Sequence, residues 1–410
     1  MRTILHSDAN SFYASVEMVY NPALRSVPLA VCGDPEARHG IVLTKNQLAK
    51  EYGVITGEPI WQAREKCPNL HVVPPNSQLY MQFSKELRDI YSEYTDKVEP
   101  FGLDEAWLDV SACPMSGEAI ADELRRRAKD ELGLTLSVGV SFNKIFAKLG
   151  SDMKKPDATT VISIDDYREK VWPLPAHALL YVGPATDAKL RRRNINTIGD
   201  IARSPQAVLH SALGKCGSIL WTFANGLDTS PVTRIGEEAV IKSVGNSTTT
   251  PRDIATDDDA KMVIYLLSES VAERLREHGL CGTTVNLYVR DCTLQSFTCQ
   301  KKLRQSTAIA AEISREAMAL FRRHYSWSRP VRSIGGSVST LSPLNADCQL
   351  SMFPDIARER RLEFENTIAD IRRRFGHFAI QRAVFIANPD IGSISPKDDH
   401  AVQPFSMHAV

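Results

Sequence analysis

Two adjacent carboxylates, Asp104 and Glu105, are flanked on both sides by apolar residues. A third acid, Asp8, closes the strand-like run that begins at Ile4. Burying like charges together is costly unless a cation compensates them. An acid at the end of one strand and an adjacent pair on another is how phosphoryl-transfer enzymes hold two magnesium ions. From these residues alone, a solvent-exposed acidic turn is an equally good interpretation.

Because Asp104 and Glu105 are adjacent in the sequence, only some places in the fold allow both side chains to reach one site. In a regular strand, neighbouring side chains point to opposite faces, so Asp104 and Glu105 could not share one site. We therefore predict that the pair lies at the end of a hairpin or at a bulge, where the pleat is broken.

Apolar periodicity predicts the elements that must position these acids. Residues 1–170 alternate strands and helices, which indicates an α+β domain. The predicted strands are 4–8, 28–32, 41–44 and 135–141. The predicted helices are 46–52, 59–66, 77–95, 117–132 and 143–152.

Several blocks of the sequence together resemble the Y family of translesion DNA polymerases. They are residues 8–17, 102–106 and 141–148, followed by Lys154-Lys155-Pro156, and the resemblance extends over about residues 1–385. Asn10 and Gly102-Leu103 are more similar to the UmuC-like, phage or plasmid branch than to the DinB (polymerase IV) branch.

The resemblance implies a multidomain right-hand polymerase of the α+β class. Palm and fingers would occupy residues 1–170, with the fingers at about 19–76. A helical thumb with a helix-hairpin-helix would occupy 171–230, and a linker 231–240. A split βαβ little finger would occupy 241–342, and a clamp-binding peptide with a C-terminal tail 343–410.

The resemblance also implies the metal ligands. They correspond to Asp8, the backbone carbonyl of Ala9, Asp104 and Glu105, with Asp104 and Glu105 as catalytic carboxylates. Together they would hold two Mg²⁺ ions, or Mn²⁺ in their place. Asn10 stands where much of the family has a second aspartate, which is not a required ligand.

Nucleotide contacts follow from the same resemblance. Tyr13 matches the steric gate that collides with a ribose 2′-hydroxyl, although by spacing alone it could be a core aromatic. Thr44, Gln47, Lys50 and Lys155 match the triphosphate-binding positions. Gln47 and Lys50 replace a usual tyrosine and arginine, so the bidentate fork of arginine is lost. The alternative for Lys50 is an exposed helix lysine.

Two further regions match DNA-contacting modules of the family. Gly183 and Ala185 correspond to the hairpin glycines that present backbone N–H groups to a DNA phosphate, with alanine replacing the second glycine. Residues 241–340 read as β-α-β-β-α-β with a mild excess of basic residues. Taken alone, this second segment could equally bind RNA or protein.

The segment Gln349-Leu350-Ser351-Met352-Phe353 resembles the peptide that docks into the bacterial sliding clamp. Gln349, Leu350, Met352 and Phe353 would be its contacts. The alternative is a hydrophobic anchor folded back on the little finger. Residues 358–375 read as a basic amphipathic helix, and the chain from about residue 390 reads as disordered.

Composition bounds the remaining possibilities. The chain has 49 basic and 49 acidic residues, which argues against indiscriminate polyanion binding. Eight cysteines form no C-x-x-C pair, which favours reduced thiols in the cytoplasm over a zinc site or a disulfide framework. We read no secretory signal and no membrane span, and we expect a monomer.

We therefore expect a DNA-directed DNA polymerase that inserts nucleotides opposite damaged bases with low fidelity, in DNA repair and the SOS response. Its substrates would be primer-template DNA and deoxynucleoside triphosphates. One alternative is a catalytically inactive homologue acting as an adaptor in a mutasome, against which the three retained acids weigh. A nucleotide cyclase is a further alternative, but it has no use for a thumb or a clamp peptide.

Overall fold

The computed structural model describes residues 2–35, 38, 40–237, 240–344 and 355–395. These residues form two compact units. The first contains the residues up to 33 and those from 41 to 237, and the second contains 34–40 and the residues from 240 onward. None of the described helices is both long enough and apolar enough to cross a lipid bilayer.

The first unit contains both strands and helices. Its strands are β1 (Ile4–Ala9), β2 (Leu29–Cys32), β3 (Val42–Lys45), β4 (His71–Val73), β5 (Val98–Pro100), β6 (Glu105–Asp109), β7 (Leu136–Ser141) and β8 (Thr159–Ile162). Its helices are α1 (Phe12–Tyr20), α2 (Gln47–Glu51), α3 (Ile60–Lys66), α4 (Ser77–Ser92), α5 (Gly117–Leu132), α6 (Lys144–Met153), α7 (Tyr167–Val171), α8 (Pro184–Arg191), α9 (Ile198–Arg203), α10 (Gln206–Leu213) and α11 (Lys215–Ala224). The predicted strands and helices of residues 1–170 are all present, with ends shifted by up to three residues.

A five-stranded sheet, in the order β5-β6-β1-β7-β8, forms the centre of this unit. Alternate residues face opposite sides, as the period of a strand requires. Leu5 of β1 packs in the cluster with Ile120 and Leu124 of α5, whereas its neighbour Ile4 packs with Ala147 of α6. Every residue of β1 is buried, because helices cover both faces of this central strand.

Helix α6 lies unusually close to the sheet because of one glycine. A Cβ atom placed on Gly139 of β7 would lie 1.9 Å from the carbonyl oxygen of Ala147. Only a residue without a side chain permits that approach. Gly139 therefore fixes the distance between the sheet and the helix that follows β7.

A separate three-stranded sheet, β3-β2-β4, carries the segment predicted to be the fingers. Buried Asn46 joins α2 to this sheet: its Oδ1 atom accepts from the N–H groups of Ala49 and Leu29, and its Nδ2 atom donates to the Val27 carbonyl. Helices α7 to α11 share a hydrophobic cluster with residues of α6 and β8, and α8 to α11 lie in the region predicted to be the thumb.

The second unit has the predicted β-α-β-β-α-β order. Its elements are β9 (Ser243–Ile254), α12 (Asp257–Glu277), β10 (Leu280–Asp291), β11 (Ser296–Thr307), α13 (Ala310–His324) and β12 (Val331–Pro343). The four strands form an antiparallel sheet in the order β11-β10-β12-β9. Val285, Leu287 and Val289 of β10 face the core formed with both helices. The prediction of a split βαβ fold is confirmed.

The C-terminal segment packs on this unit. Helix α14 (Ile356–Phe375) buries Glu365, which accepts hydrogen bonds from Arg276 and from the backbone N–H of Ala310. Helix α15 (Pro389–Gly392) follows, and Ile391 and Ile394 join the hydrophobic core. The prediction of disorder from about residue 390 is therefore wrong for residues 390–395, because tertiary burial orders them.

Candidate active site

Strand pairing brings two of the three predicted carboxylates together. Strands β1 and β6 are antiparallel, and Asp8 lies directly opposite Glu105. Side chains at directly opposite positions project from the same face of a sheet. Asp8 is 5% exposed, so its charge is largely removed from water.

The third carboxylate, Asp104, lies immediately before strand β6, outside its regular pleat. Asp104 belongs to the bend that precedes β6, and Glu105 is the first residue of the strand. The Ala9 N–H donates to the Asp104 carbonyl at 3.0 Å, which ties the bend to the end of β1. The prediction that Asp104 and Glu105 lie where the pleat is broken is confirmed.

Helix α6 adds a buried lysine to these acids. The Nζ atom of Lys148 lies 3.4 Å from Asp8 Oδ2, 2.9 Å from Glu105 Oε2 and 3.4 Å from Asp152 Oδ2. Lys155, two residues beyond the helix, lies 2.6 Å from Asp8 Oδ2 and 2.8 Å from Asp152 Oδ1. One ammonium group thus contacts both Asp8 and Glu105, so these two carboxylates converge.

The pKa shifts show that the three acids affect one another. Burial raises the pKa of Asp104 to about 7, with further contributions from the charges of Glu105 and Asp8. Burial and the Glu105 charge also raise the pKa of Asp8, against the opposing effect of Lys155 and Lys148. Two ammonium groups therefore compensate this cluster only in part.

Buried His6 lies beneath Glu105. Its Nδ1 atom is 2.9 Å from Ser151 Oγ, and its Nε2 atom is 3.3 Å from Glu105 Oε2. Burial, followed by the charge of Lys148, lowers the pKa of His6 well below its ordinary value. His6 is therefore a neutral imidazole that packs against the Glu105 carboxylate.

Among the described residues, no three acidic, histidine or cysteine side chains are positioned to hold a metal ion. Instead, the ammonium of Lys148 lies against the oxygens of Asp8 and Glu105. The donors are nevertheless all carboxylate oxygens, which Mg²⁺ prefers. Burial, followed by the charges of Glu105 and Asp8, raises the pKa of Asp104, and a divalent cation would favour its ionised form. The residues therefore fit such an ion chemically.

The predicted steric-gate residue lies near the acids. Tyr13 of α1 stacks on Tyr80 of α4, with ring centroids 4.4 Å apart and planes 9° from parallel. The Tyr80 hydroxyl donates to Glu17 at 2.6 Å, which holds the supporting ring. Burial and then the charge of Asp104 raise the pKa of Tyr13, so its hydroxyl lies within electrostatic reach of that carboxylate.

The other predicted site residues are dispersed. Lys155 lies among the carboxylates, whereas Thr44 is in β3 and Gln47 and Lys50 are in α2, beside the smaller sheet. Gly183 is the N-cap of α8, and Ala185 lies in its first turn, after a 3₁₀ helix at Ala176–Ala178. The clamp-peptide residues lie outside the described part of the chain; they are Gln349, Leu350, Met352 and Phe353.

Sequence reasoning placed Lys148 in a family-like block and in a candidate basic cluster, but it assigned Lys148, Asp152 and His6 no role in the carboxylate site. The spacing of Lys148 and Asp152, four residues apart on a helix, was the available signal that they share a face. His6 had no comparable signal, because a single histidine in a buried strand is most often a core residue.

Comparisons with known proteins cover almost the whole chain. The model of the impB/mucB/samB family matches residues 7–152, and the model of that family's C-terminal domain matches residues 241–352. The DNA polymerase IV of Acetivibrio thermocellus is 50% identical over 397 residues, covering 96% of this chain and 100% of the relative. The DNA polymerase IV of Pelotomaculum thermopropionicum is 40% identical, covering 93% of this chain and 94% of the relative.

Among solved structures, the Y-family DNA polymerase chimera Dbh-Dpo4(243-245)-Dbh superposes with a TM-score of 0.72. It is 25% identical in sequence and covers 82% of this chain and 98% of its own. A ternary complex of Dbh superposes with a TM-score of 0.58. The expectation of a closer likeness to the UmuC-like branch finds no support in these relatives, which carry the name DNA polymerase IV.

Proposed function

The chain belongs to the impB/mucB/samB family of Y-family DNA polymerases, and from this we propose that Asp8, Asp104 and Glu105 are its catalytic metal-binding carboxylates. The protein is a DNA-directed DNA polymerase that inserts nucleotides opposite damaged template bases. Its substrates are DNA and deoxynucleoside triphosphates.

One observation carries the assignment of the site. Asp8 and Glu105 are opposite neighbours on paired strands, and Asp104 lies in the adjoining bend. Three acids from two distant parts of the sequence thus meet at one end of the central sheet. A buried cluster of this kind is costly to folding, which favours a role in binding cations.

Asp8, the Ala9 carbonyl, Asp104 and Glu105 would hold two Mg²⁺ ions, or Mn²⁺. Such ions, when bound, supply Lewis-acid stabilisation of the attacking 3′-oxygen and of the leaving pyrophosphate. The protein contributes the orientation: strand pairing aligns Asp8 with Glu105, and the hydrogen bond from Ala9 holds the Asp104 bend.

The cationic and aromatic groups around the acids have separate roles in this proposal. Lys155, whose ammonium already lies at the edge of the cluster, would bind the triphosphate. Thr44, Gln47 and Lys50 would complete the phosphate contacts from the fingers. The stacked ring of Tyr13 would exclude a ribose 2′-hydroxyl.

Contacts outside the active site are also proposals. Gly183 and Ala185, at the start of α8, would approach the DNA backbone, and the antiparallel sheet of the second unit would contact the duplex. The segment 349–353 would dock into the bacterial sliding clamp.

The setting in the cell is proposed on separate grounds. We place the protein in the cytoplasm as a monomer that acts during the SOS response. The cysteines in the described residues are unpaired, which supports a reducing compartment.

Primer extension on undamaged and lesion-bearing templates tests the site. We expect Asp104→Ala to abolish extension. The matched control is Asp89→Ala, since Asp89 is an exposed acid on α4 that pairs only with its helix neighbour Lys85 among the contacts described. Equal extension by wild type and Asp104→Ala would show that the site assignment is wrong. No extension by the wild type would instead favour the adaptor alternative.

A further inference from the structure

Lys148 is a buried cation shared by three carboxylates. Its side chain is 13% exposed, and its Nζ atom lies within 3.4 Å of oxygens of Asp8, Glu105 and Asp152. Lys155 is more exposed, at 33%, and contacts Asp8 and Asp152 but is not paired with Glu105 among the described ion pairs. Lys148 therefore holds the central position between the two strands that carry the acids.

The ammonium group of Lys148 has acids on two sides. It pairs with Asp8 and Glu105 on the strands and with Asp152 on its own helix. An ammonium group in this position neutralises part of the charge that the acids would otherwise concentrate. The ammonium group carries a single positive charge, whereas the acids around it carry more negative charge in total. These acids are Asp8, Asp104, Glu105 and Asp152.

The backbone that carries Lys148 is fixed. The close approach of α6 to Gly139 sets its distance from the sheet. The Lys148 carbonyl accepts a hydrogen bond from Ser151 Oγ, which also contacts the buried His6. The side chain, in contrast, is flexible, because a stem of four carbons joins the ammonium group to the backbone. Its ammonium can move between the strand acids and Asp152, while the helix stays in place.

We propose that Lys148 is an internal counter-ion that competes with divalent metal ions for the carboxylate oxygens of Asp8 and Glu105. The proposal rests on the metal site proposed above. A divalent ion on those oxygens would repel the ammonium, which would withdraw to Asp152. Metal binding therefore includes the cost of displacing Lys148, and this residue lowers the affinity of the free enzyme for its metal.

The test is a titration of the full chain with Mn²⁺, without DNA or nucleotide. Electron paramagnetic resonance measures the concentration of the free ion and so gives the affinity. Lys148→Gln is expected to bind Mn²⁺ about tenfold more tightly than wild type, because a nearby positive charge has been removed. The matched control is Lys144→Gln, on the same helix. Lys144 pairs with Glu99 at 2.6 Å instead of the site acids, so its removal should change affinity little.

Unchanged or weaker Mn²⁺ binding by Lys148→Gln, relative to the Lys144→Gln control, would overturn the proposal. If the glutamine variant does not fold, Lys148→Met takes its place with the same expected tightening. Lys148→Arg keeps the positive charge and should bind Mn²⁺ no more tightly than wild type; tighter binding would also overturn the proposal.

A fourth variant separates this proposal from the one on which it rests. Asp8→Asn, with Lys148 intact, should lose Mn²⁺ binding if the carboxylates form the metal site. If Asp8→Asn binds as well as wild type, the metal-site assignment fails, whatever Lys148→Gln does. If Asp8→Asn loses binding and Lys148→Gln gains none, only the counter-ion proposal fails.

Discussion

Asp8 and Glu105 are directly opposite neighbours on two antiparallel strands, and the ammonium group of Lys148 contacts both carboxylates. This arrangement places like charges on one face of a buried sheet, where water cannot screen them. The protein compensates them in part with Lys148 of α6 and with Lys155, which follows that helix. A site built in this way gives up stability in the metal-free state, and that cost is measurable.

Replacing Asp104 with asparagine should stabilise the metal-free protein while it abolishes activity. Burial and the neighbouring acids raise the pKa of Asp104 to about 7, so ionising it opposes folding. Its folded state binds more protons than its unfolded state between the two pKa values, and stability therefore falls as pH rises through this range. In EDTA at pH 8, Asp104→Asn should be more stable by about 1–3 kcal/mol.

Urea unfolding measures this difference. The gain should shrink as pH falls toward 4 and vanish below about pH 3, where Asp104 is protonated in folded and unfolded chains alike. Asp89→Asn, at an exposed acid, serves as the control and should not differ from wild type at either pH. A destabilised Asp104→Asn protein at pH 8 would contradict the assignment of a strained carboxylate cluster.

Tyr13 should control the discrimination between deoxyribonucleotides and ribonucleotides. Tyr13→Ala removes the ring that stacks on Tyr80, so a 2′-hydroxyl would no longer collide with it. We expect the efficiency of ribonucleotide insertion, relative to deoxyribonucleotide insertion, to rise by about 10- to 200-fold. Single-nucleotide insertion kinetics measure the ratio.

The control for this prediction is Tyr13→Phe, which keeps the ring and its stacking. It should discriminate as well as wild type, because the clash depends on the ring and not on the hydroxyl. If Tyr13→Ala also discriminates as wild type does, another residue is the steric gate.

The acids were predicted from two signals together: their local setting, which left an exposed acidic turn equally possible, and the resemblance of several sequence blocks to the Y family. Asp104 and Glu105 stand between apolar residues, and the alternation of the pleat required a break beside them. The role of Lys148 could not be predicted in the same way. Its position depends on the packing of α6 against β7, which is set by the missing side chain of Gly139 and not by any pattern within the helix.

In the second unit, too, features set by the local sequence were predicted, and features set by distant contacts were not. Its β-α-β-β-α-β order followed from local periodicity and is confirmed. The chain from about residue 390 was predicted to be disordered. Burial of Ile391 and Ile394 in a core formed by distant residues orders them instead. Such non-local burial leaves little trace in the local sequence.

Gly139→Ala should displace α6 and thereby weaken the candidate active site, because it moves residues of the site without replacing any of them. The added Cβ would lie 1.9 Å from the Ala147 carbonyl oxygen, so the helix or the strand must move. We expect a loss of about 1–3 kcal/mol in the free energy of unfolding and a lower rate of primer extension. Gly336→Ala is the control, since a Cβ there would meet no atom within 4 Å. Wild-type stability and activity in Gly139→Ala would show that the close approach of α6 is not needed.

Asp109 should give the protein a component of stability that is lost in acid. Burial raises the pKa of this residue, but hydrogen bonds from Ser111 and the ion pair with Lys97 outweigh it and hold the pKa below its ordinary value. The Ser111 N–H and Oγ donate to Asp109 Oδ1 at 3.1 and 2.5 Å, and Lys97 Nζ lies 3.2 Å from Oδ2. Because the folded pKa is depressed, this stability is present above the unfolded pKa and is lost as pH falls through the folded pKa.

Asp109→Asn should therefore be about 1 kcal/mol less stable than wild type at pH 7. The difference should shrink as pH falls below about 4, because the aspartate of the wild type then becomes protonated and resembles the amide. Urea unfolding of both proteins across this range measures it, with Asp89→Asn as a control that should show no such trend. A difference between Asp109→Asn and wild type that stays constant down to pH 2 would mean that the shape of the side chain, and not its charge, stabilises the end of β6.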